Sequence, residues 1–229
     1  MDGVRLRNLP KPEVLFSEIK SLSEEGNYER AVQIYRAILT EWQGHAKVCE
    51  RASAGLGEAY ITLRNLRLAE KYVKQALGYN PLAPRYHYLL GFTYSVDRQW
   101  DRARVEFEAA LKKDPENPEY LRSLGWVLCN CGRVCKGQTY LLGALALAPD
   151  DVSILTNLAL VHMDAREFDK ALDYAQHAAR VAPTNALVQL TCKVLNAIRD
   201  FADRTRVRKK QESSRVEAEL FSARKGGYE

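Results

Sequence analysis

Long apolar runs are missing from this sequence. The longest, LLGALALAP at residues 141–149, falls far short of the roughly 18 residues a membrane-spanning helix needs. The stretch MDGVRLRNLPKPEVLFSE at the start has no apolar core of the signal-peptide kind. The expectation is a cytoplasmic protein without a membrane span. Proline and glycine are not enriched, at 8 and 13 of 229 residues, so most of the chain should be ordered. Cysteine is scarce and odd in number, five in all, and clustered rather than framed. That favours a reducing compartment over a disulfide scaffold. The four histidines, at 45, 87, 162 and 177, are scattered. There is no HExxH, no P-loop and no GxSxG. GLGEAY from Gly55 lacks the third glycine and the preceding strand of a phosphate loop. No catalytic constellation is left, and the chain reads as a non-enzyme with no cofactor and no metal. The net charge of +5 allows acidic partners without calling for nucleic acid.

What the sequence has is a period. Gly57, Gly91, Gly125 and Ala159 are 34 residues apart, and so are Ala69, Ala103, Gly137 and Ala171. Two further columns keep step: Ala76, Ala110, Ala144 and Ala178, then Pro81, Pro115, Pro149 and Pro183. Within each period apolar residues recur at helical spacing in two blocks, such as RYHYLLGFTYSV and WDRARVEFEAALKKDP. The first two small columns, Gly91 with Ala103 for instance, are expected to face each other across two antiparallel helices. A larger side chain there would overpack the contact. The proline ends the second helix, because the residue before proline avoids helical angles. A degenerate earlier copy, EEGNYERAVQIYRAIL, carries Gly26, Tyr28, Ala31 and Tyr35 in register. Its step to the next copy is longer by four residues near TEWQGHAKV, about one helical turn.

Leu90-Gly91, Tyr94, Trp100, Ala103, Phe107, Ala110 and Pro115 together resemble the tetratricopeptide repeat, a helix–turn–helix unit of this period. The resemblance covers roughly residues 12 to 203. It implies an all-α, right-handed α–α superhelix of about five repeats plus a C-terminal capping helix. The array is expected at 12–183, in units near 12–45, 50–83, 84–117, 118–151 and 152–183. TNALVQLTCKVLNAIRDFA then reads as a capping helix over 184–203, with Thr184 or Asn185 as its cap, and 204–229 as a charged, partly helical tail. The helix at 184–203 also leaves a homo-oligomer open.

The stretch LCNCGRVCKG places Cys129 near the end of a first helix, Cys131 in a turn and Cys135 near the start of a second helix. A fourth ligand is lacking, whereas structural zinc wants four. Packing and turn chemistry are the expected roles. His87 and His162 are expected to be packed side chains.

In arrays of this family the stripe lying six and three residues before, and one and four after, the first small column lines the concave groove. Carried onto this chain by that resemblance, the stripe holds Arg51, Ala54, Glu58 and Ile61; Arg85, Tyr88, Phe92 and Ser95; Glu119, Arg122, Trp126 and Cys129; and Ser153, Thr156, Leu160 and Met163. Arg51, Arg85, Tyr88, Phe92, Arg122, Trp126, Leu160 and Met163 are the candidate contact residues, since aromatics and arginines anchor interfaces. The column after the small residue reads Lys20, Glu58, Phe92, Trp126, Leu160 and lacks the asparagine of a carboxylate clamp. The implied function is a protein-binding scaffold or adaptor, a chaperone-like role included. Its partner would be a protein or peptide with apolar anchors and acidic residues for Arg85 and Arg122. The alternative is a nucleic-acid or anionic-membrane adaptor acting through the basic run Arg204, Arg206, Arg208, Lys209 and Lys210, although no aromatics interleave it.

Overall fold

A computed structural model describes residues 10–225, with side chains through 209 and at 211–213. Among the described residues every regular element is an α-helix. They run in order as α1 (Pro12–Glu24), α2 (Tyr28–Glu41), α3 (Ala46–Thr62), α4 (Leu66–Tyr79), α5 (Pro84–Val96), α6 (Trp100–Lys113), α7 (Pro118–Asn130), α8 (Val134–Leu147), α9 (Val152–Asp164), α10 (Phe168–Val181) and α11 (Ala186–Lys225). The chain forms two compact units, Met1–Gly143 and Ala144–Glu229.

The helix limits follow from local chemistry. Pro12, Pro84 and Pro118 open α1, α5 and α7, where a missing N–H costs nothing. Asn27, Asn65, Asn117 and Asp151 cap α2, α4, α7 and α9 by accepting from backbone N–H groups. Of the two candidate caps for α11, Asn185 does the work, accepting from Leu187 N at 3.1 Å and Val188 N at 3.2 Å. The column prolines Pro81, Pro115, Pro149 and Pro183 each sit two residues past a helix end, as the period requires. The four extra residues of the first step become one additional turn at the start of α3, which has 17 residues where α5, α7 and α9 have 13.

One turn column was legible only at its two glycines, Gly26 and Gly132. Gly26 and Gly132 take φ of +78° and +77°, and Arg64, Arg98 and Arg166 hold the same place at +59°, +57° and +59°. The hairpin bend needs a left-handed residue, and three units supply it from arginine at a cost of about 1 kcal/mol.

Within the first unit the columns form the core. Leu56, Leu90 and Leu124 are buried, as are Tyr60, Tyr94 and Leu128, and so are Ala69, Ala76, Ala103 and Ala110. The facing of small columns differs from the simple expectation. A side chain built on Gly57 would strike Val73, and one on Gly91 would lie 2.8 Å from the Phe107 ring. The opposing wall is therefore one turn beyond Ala69 and Ala103, because Cβ atoms lean toward a helix's N-terminus. Between α7 and α8 the two small columns do meet: a Cβ on Gly137 would come 2.6 Å from Gly125 O and onto Cys129 Sγ.

In the second unit Leu155 and Leu158 of α9, Ala171, Leu172, Ala175 and Ala178 of α10, and Val188, Cys192 and Leu195 of α11 make the core. The closing helix and the charged segment after 203 are one element, since α11 runs unbroken from Ala186 to Lys225. Residues 226–229 and the Lys210 side chain lie outside the described set. No described helix is long and apolar enough to cross a membrane.

Candidate protein-binding site

In the first unit the stripe residues of successive odd-numbered helices touch. Arg85 of α5 donates to Glu58 of α3 at 2.6 Å, and Tyr88 of α5 donates to Glu119 of α7 at 2.7 Å. Helices α3, α5 and α7 are in mutual contact in that order. The stripe carried by α3, α5 and α7 is thus one surface.

Its residues are not equally available. Tyr88 is wedged in: its ring lies 5.3 Å from Tyr120, 5.7 Å from Phe107 and 6.3 Å from Phe92. Burial, then the hydrogen bond to Glu119, holds its hydroxyl well above the usual phenol range. Tyr88 is therefore as much core as contact surface. Phe92, by contrast, is 37% exposed, and Trp126 is half-buried on α7.

The arginines are engaged. Arg85 is held by Glu58, which raises its already high pKa through charge attraction. Arg122 contacts Glu119 at 3.1 Å. An acidic partner would have to displace these carboxylates, so the expected direct role of Arg85 and Arg122 is weakened. Arg51 is different: its guanidinium lies 3.9 Å over the Phe16 ring, with no ion pair among the described residues.

A pocket of about 480 Å³ opens along this stripe, lined among others by Tyr35, Lys47, Arg51, Glu58 and Arg85. Tyr35 lies flat where a side chain on Gly55 would stand, so Gly55 makes room for the pocket wall rather than for a phosphate. Glu50, also on the wall, is occupied by Tyr86 OH at 2.8 Å and Asn80 Nδ2 at 3.1 Å. Tyr35, Lys47 and Glu50 were missed from sequence. Lys47 lies on the extra turn of α3, which the 34-residue period does not describe; Glu50 opens the repeat proper, one period before Pro84, outside the stripe columns.

Leu160 and Met163 lie half-buried on α9 in the second unit; Met163 packs on the core around Ala159 and Ala171. Arg204, Arg206 and Arg208 are exposed on α11 and make no ion pair among the described residues. At 100° per residue Arg204 and Arg208 share one face, about 40° apart, while Arg206 points to the opposite side.

The cysteines divide by setting. Cys129 tucks under Gly137, which explains both the missing alanine and the slim residue opposite it. Cys131 is half-buried at the end of α7, and burial pushes its thiol up. Cys135 is exposed. Among the described residues no three His, Cys, Asp or Glu side chains gather as a metal site. His162 is 8% exposed, donates from Nδ1 to Glu167 Oε2 at 2.6 Å and stacks on Tyr174. His87 contacts Glu106 at 2.8 Å. Outside the groove, Glu70 gathers Lys74 at 2.7 Å, Tyr94 OH at 2.8 Å and Arg102 at 2.9 Å.

Three family models, each described as Tetratricopeptide repeat, match residues 22–91, 84–117 and 132–186. Among curated proteins, the human Cell division cycle protein 16 homolog is 25% identical over 163 residues, covering 67% of this chain and 26% of its own length. The chain thus spans about a quarter of that relative. Among solved structures, a thermophilic tetratricopeptide protein of Thermus thermophilus superposes with a TM-score of 0.69 at 19% identity, covering 81% of this chain and 99% of that one. The APC/C hetero-tetramer Cut9-Hcn1 gives 0.67 at 16% identity, over 80% of this chain and 36% of that one.

Proposed function

The chain belongs to the tetratricopeptide repeat family, and from that premise we propose that it is a non-catalytic scaffold that holds a protein or peptide segment on the α3–α5–α7 stripe. One observation carries the reading. The stripe columns of α3 and α5 line a pocket of about 480 Å³, and Phe92 stands exposed two turns further along α5. Lys47 and Arg51 at the pocket have no ion pair among the described residues, so an acidic side chain of the partner meets them there. An apolar anchor rests on Phe92 and Trp126, some 10 Å along the helix axis. The likeness to proteins whose names place them in multi-subunit assemblies, such as Cut9-Hcn1, agrees with a docking role.

The test uses peptides selected on the purified chain from a random display library, with binding followed by calorimetry. Phe92→Ala is expected to weaken them at least about 10-fold, a typical anchor loss, with helix content unchanged by circular dichroism. Arg51→Ala is expected to flatten the salt dependence of binding. Peptides that bind Phe92→Ala and wild type equally would refute the site. The basic-run alternative has only the pair Arg204 and Arg208 on one face of α11, with Arg206 on the other side and no aromatic side chain interleaved.

A further inference from the structure

The face of α11 that turns away from α10 is apolar and uncovered. Val188, Cys192 and Leu195 are buried in the core, whereas Leu187, Leu190, Val194 and Phe201 are 64%, 58%, 43% and 73% exposed. With Ala197 these four are spaced 3, 4, 3 and 4 residues apart, which is the seam spacing of a two-stranded coiled coil.

We propose that this seam is a self-association surface, on which α11 of one copy pairs antiparallel with α11 of a second copy. The charges set the direction. The seam runs on into Arg204 and Arg208. A parallel pair would place each of these against its own twin, which like charges oppose. Reversing one helix about a point between residues 195 and 196 removes that conflict. Leu190 then meets Phe201 of the second copy and Val194 meets Ala197, while Lys193 and Asp200, each just before a seam residue, come side by side along the flank of the seam, two residues from direct opposition. Two-fold symmetry makes each contact twice. Lys193 is exposed with no ion pair among the described residues, and Asp200 has only a loose 3.7 Å contact with Arg199 of its own helix. Both are free to make the pairing. The exposed apolar side chains offer about 400 Å² per copy against the ~800 Å² per partner of a standard stable interface. Self-association therefore belongs in the micromolar range.

Sedimentation equilibrium of the full chain from about 1 to 200 µM, spanning that range, tests this. A reversible dimer is expected. Leu190→Glu combined with Phe201→Glu should weaken it roughly 100-fold or more, with helix content unchanged because both side chains are exposed. Lys193→Glu alone and Asp200→Lys alone should each weaken it several-fold. An equimolar mixture of those two variants should restore it, since every 193–200 pair in the mixed dimer is again of opposite sign. The charge variants leave the apolar seam intact, so they decide the matter if the double glutamate variant fails to fold. A chain that stays monomeric throughout overturns the proposal, and it does so even if α11 then binds an acidic amphipathic peptide or phosphatidylserine vesicles. A dimer indifferent to the glutamate substitutions overturns it, as does a charge-variant mixture that shows no recovery. The groove reading concerns the first unit and is scored by peptide binding, so either can fail alone.

Discussion

Helices α5 and α11 carry the same repeat columns and use them in opposite ways. On α5 the stripe is Arg85, Tyr88, Phe92 and Ser95; on α11 it is Leu187, Leu190, Val194 and Ala197. Tyr88 is enclosed by rings from α6 and α7, and Arg85 is tied to α3. The residues in the same columns of α11 stand largely bare. A stripe that looks optional from the repeat pattern is thus part structural where another helix follows, and surplus to packing where the array closes. An apolar residue in a groove column says more about binding at the end of an array than in its middle.

The largest expected effect tests that contrast directly. Tyr88→Ala should cost about 3 kcal/mol, as for large buried side chains, while Leu190→Ala, an exposed side chain, should stay within about 0.5 kcal/mol. Urea denaturation of the two variants measures both, and equal losses would erase the distinction. Next, Gly137→Ala restores the family's usual residue yet should destabilise by about 1–3 kcal/mol, because its Cβ meets Gly125 O and Cys129 Sγ. The same melts, repeated on Gly137→Ala with Cys129→Ala, show whether the sulfur or the backbone sets that limit.

A smaller effect comes from Glu70, whose carboxyl is lowered from 4.5 to about 2. The Lys74 hydrogen bond is the main cause; Tyr94 and Arg102 add to it against partial burial. A depressed folded-state pKa stabilises fully above the unfolded value and is lost as pH falls from about 4.5 toward 2. Partial exposure of the ion pair keeps the contribution near 1 kcal/mol. Glu70→Gln should lower the melting temperature at pH 7 and flatten its decline across that acid window. The smallest effect is Arg98→Gly, which relieves a positive φ and should add about 0.5 kcal/mol after the entropic cost of glycine, read as a small upward shift in the urea midpoint.

Most of the fold was legible because small residues, prolines and apolar columns each answer a packing need that repeats every 34 residues. In three units the left-handed turn escaped because arginine supplies it without any compositional sign. The helix running to Lys225 escaped because nothing in a charged sequence marks where a helix must stop without glycine or proline. That the stripe residues of α3, α5 and α7 share one face was readable from the columns. Which members of that face were available was not: pairing of Arg85 with Glu58, 27 residues apart, depends on two helices lying side by side. Lys47 of the pocket wall sits on the inserted turn, where the column logic is silent, and Glu50 sits in a column that the stripe does not include.

The thiols offer a practical handle. Cys49 and Cys192 are buried, Cys129 sits beneath a neighbouring backbone, and Cys131 is pushed away from its reactive thiolate form, leaving Cys135 open on the first turn of α8. A maleimide dye or spin label added at limiting dose should therefore mark one place on the native chain. A reporter can be installed without stripping out any of the native sulfurs.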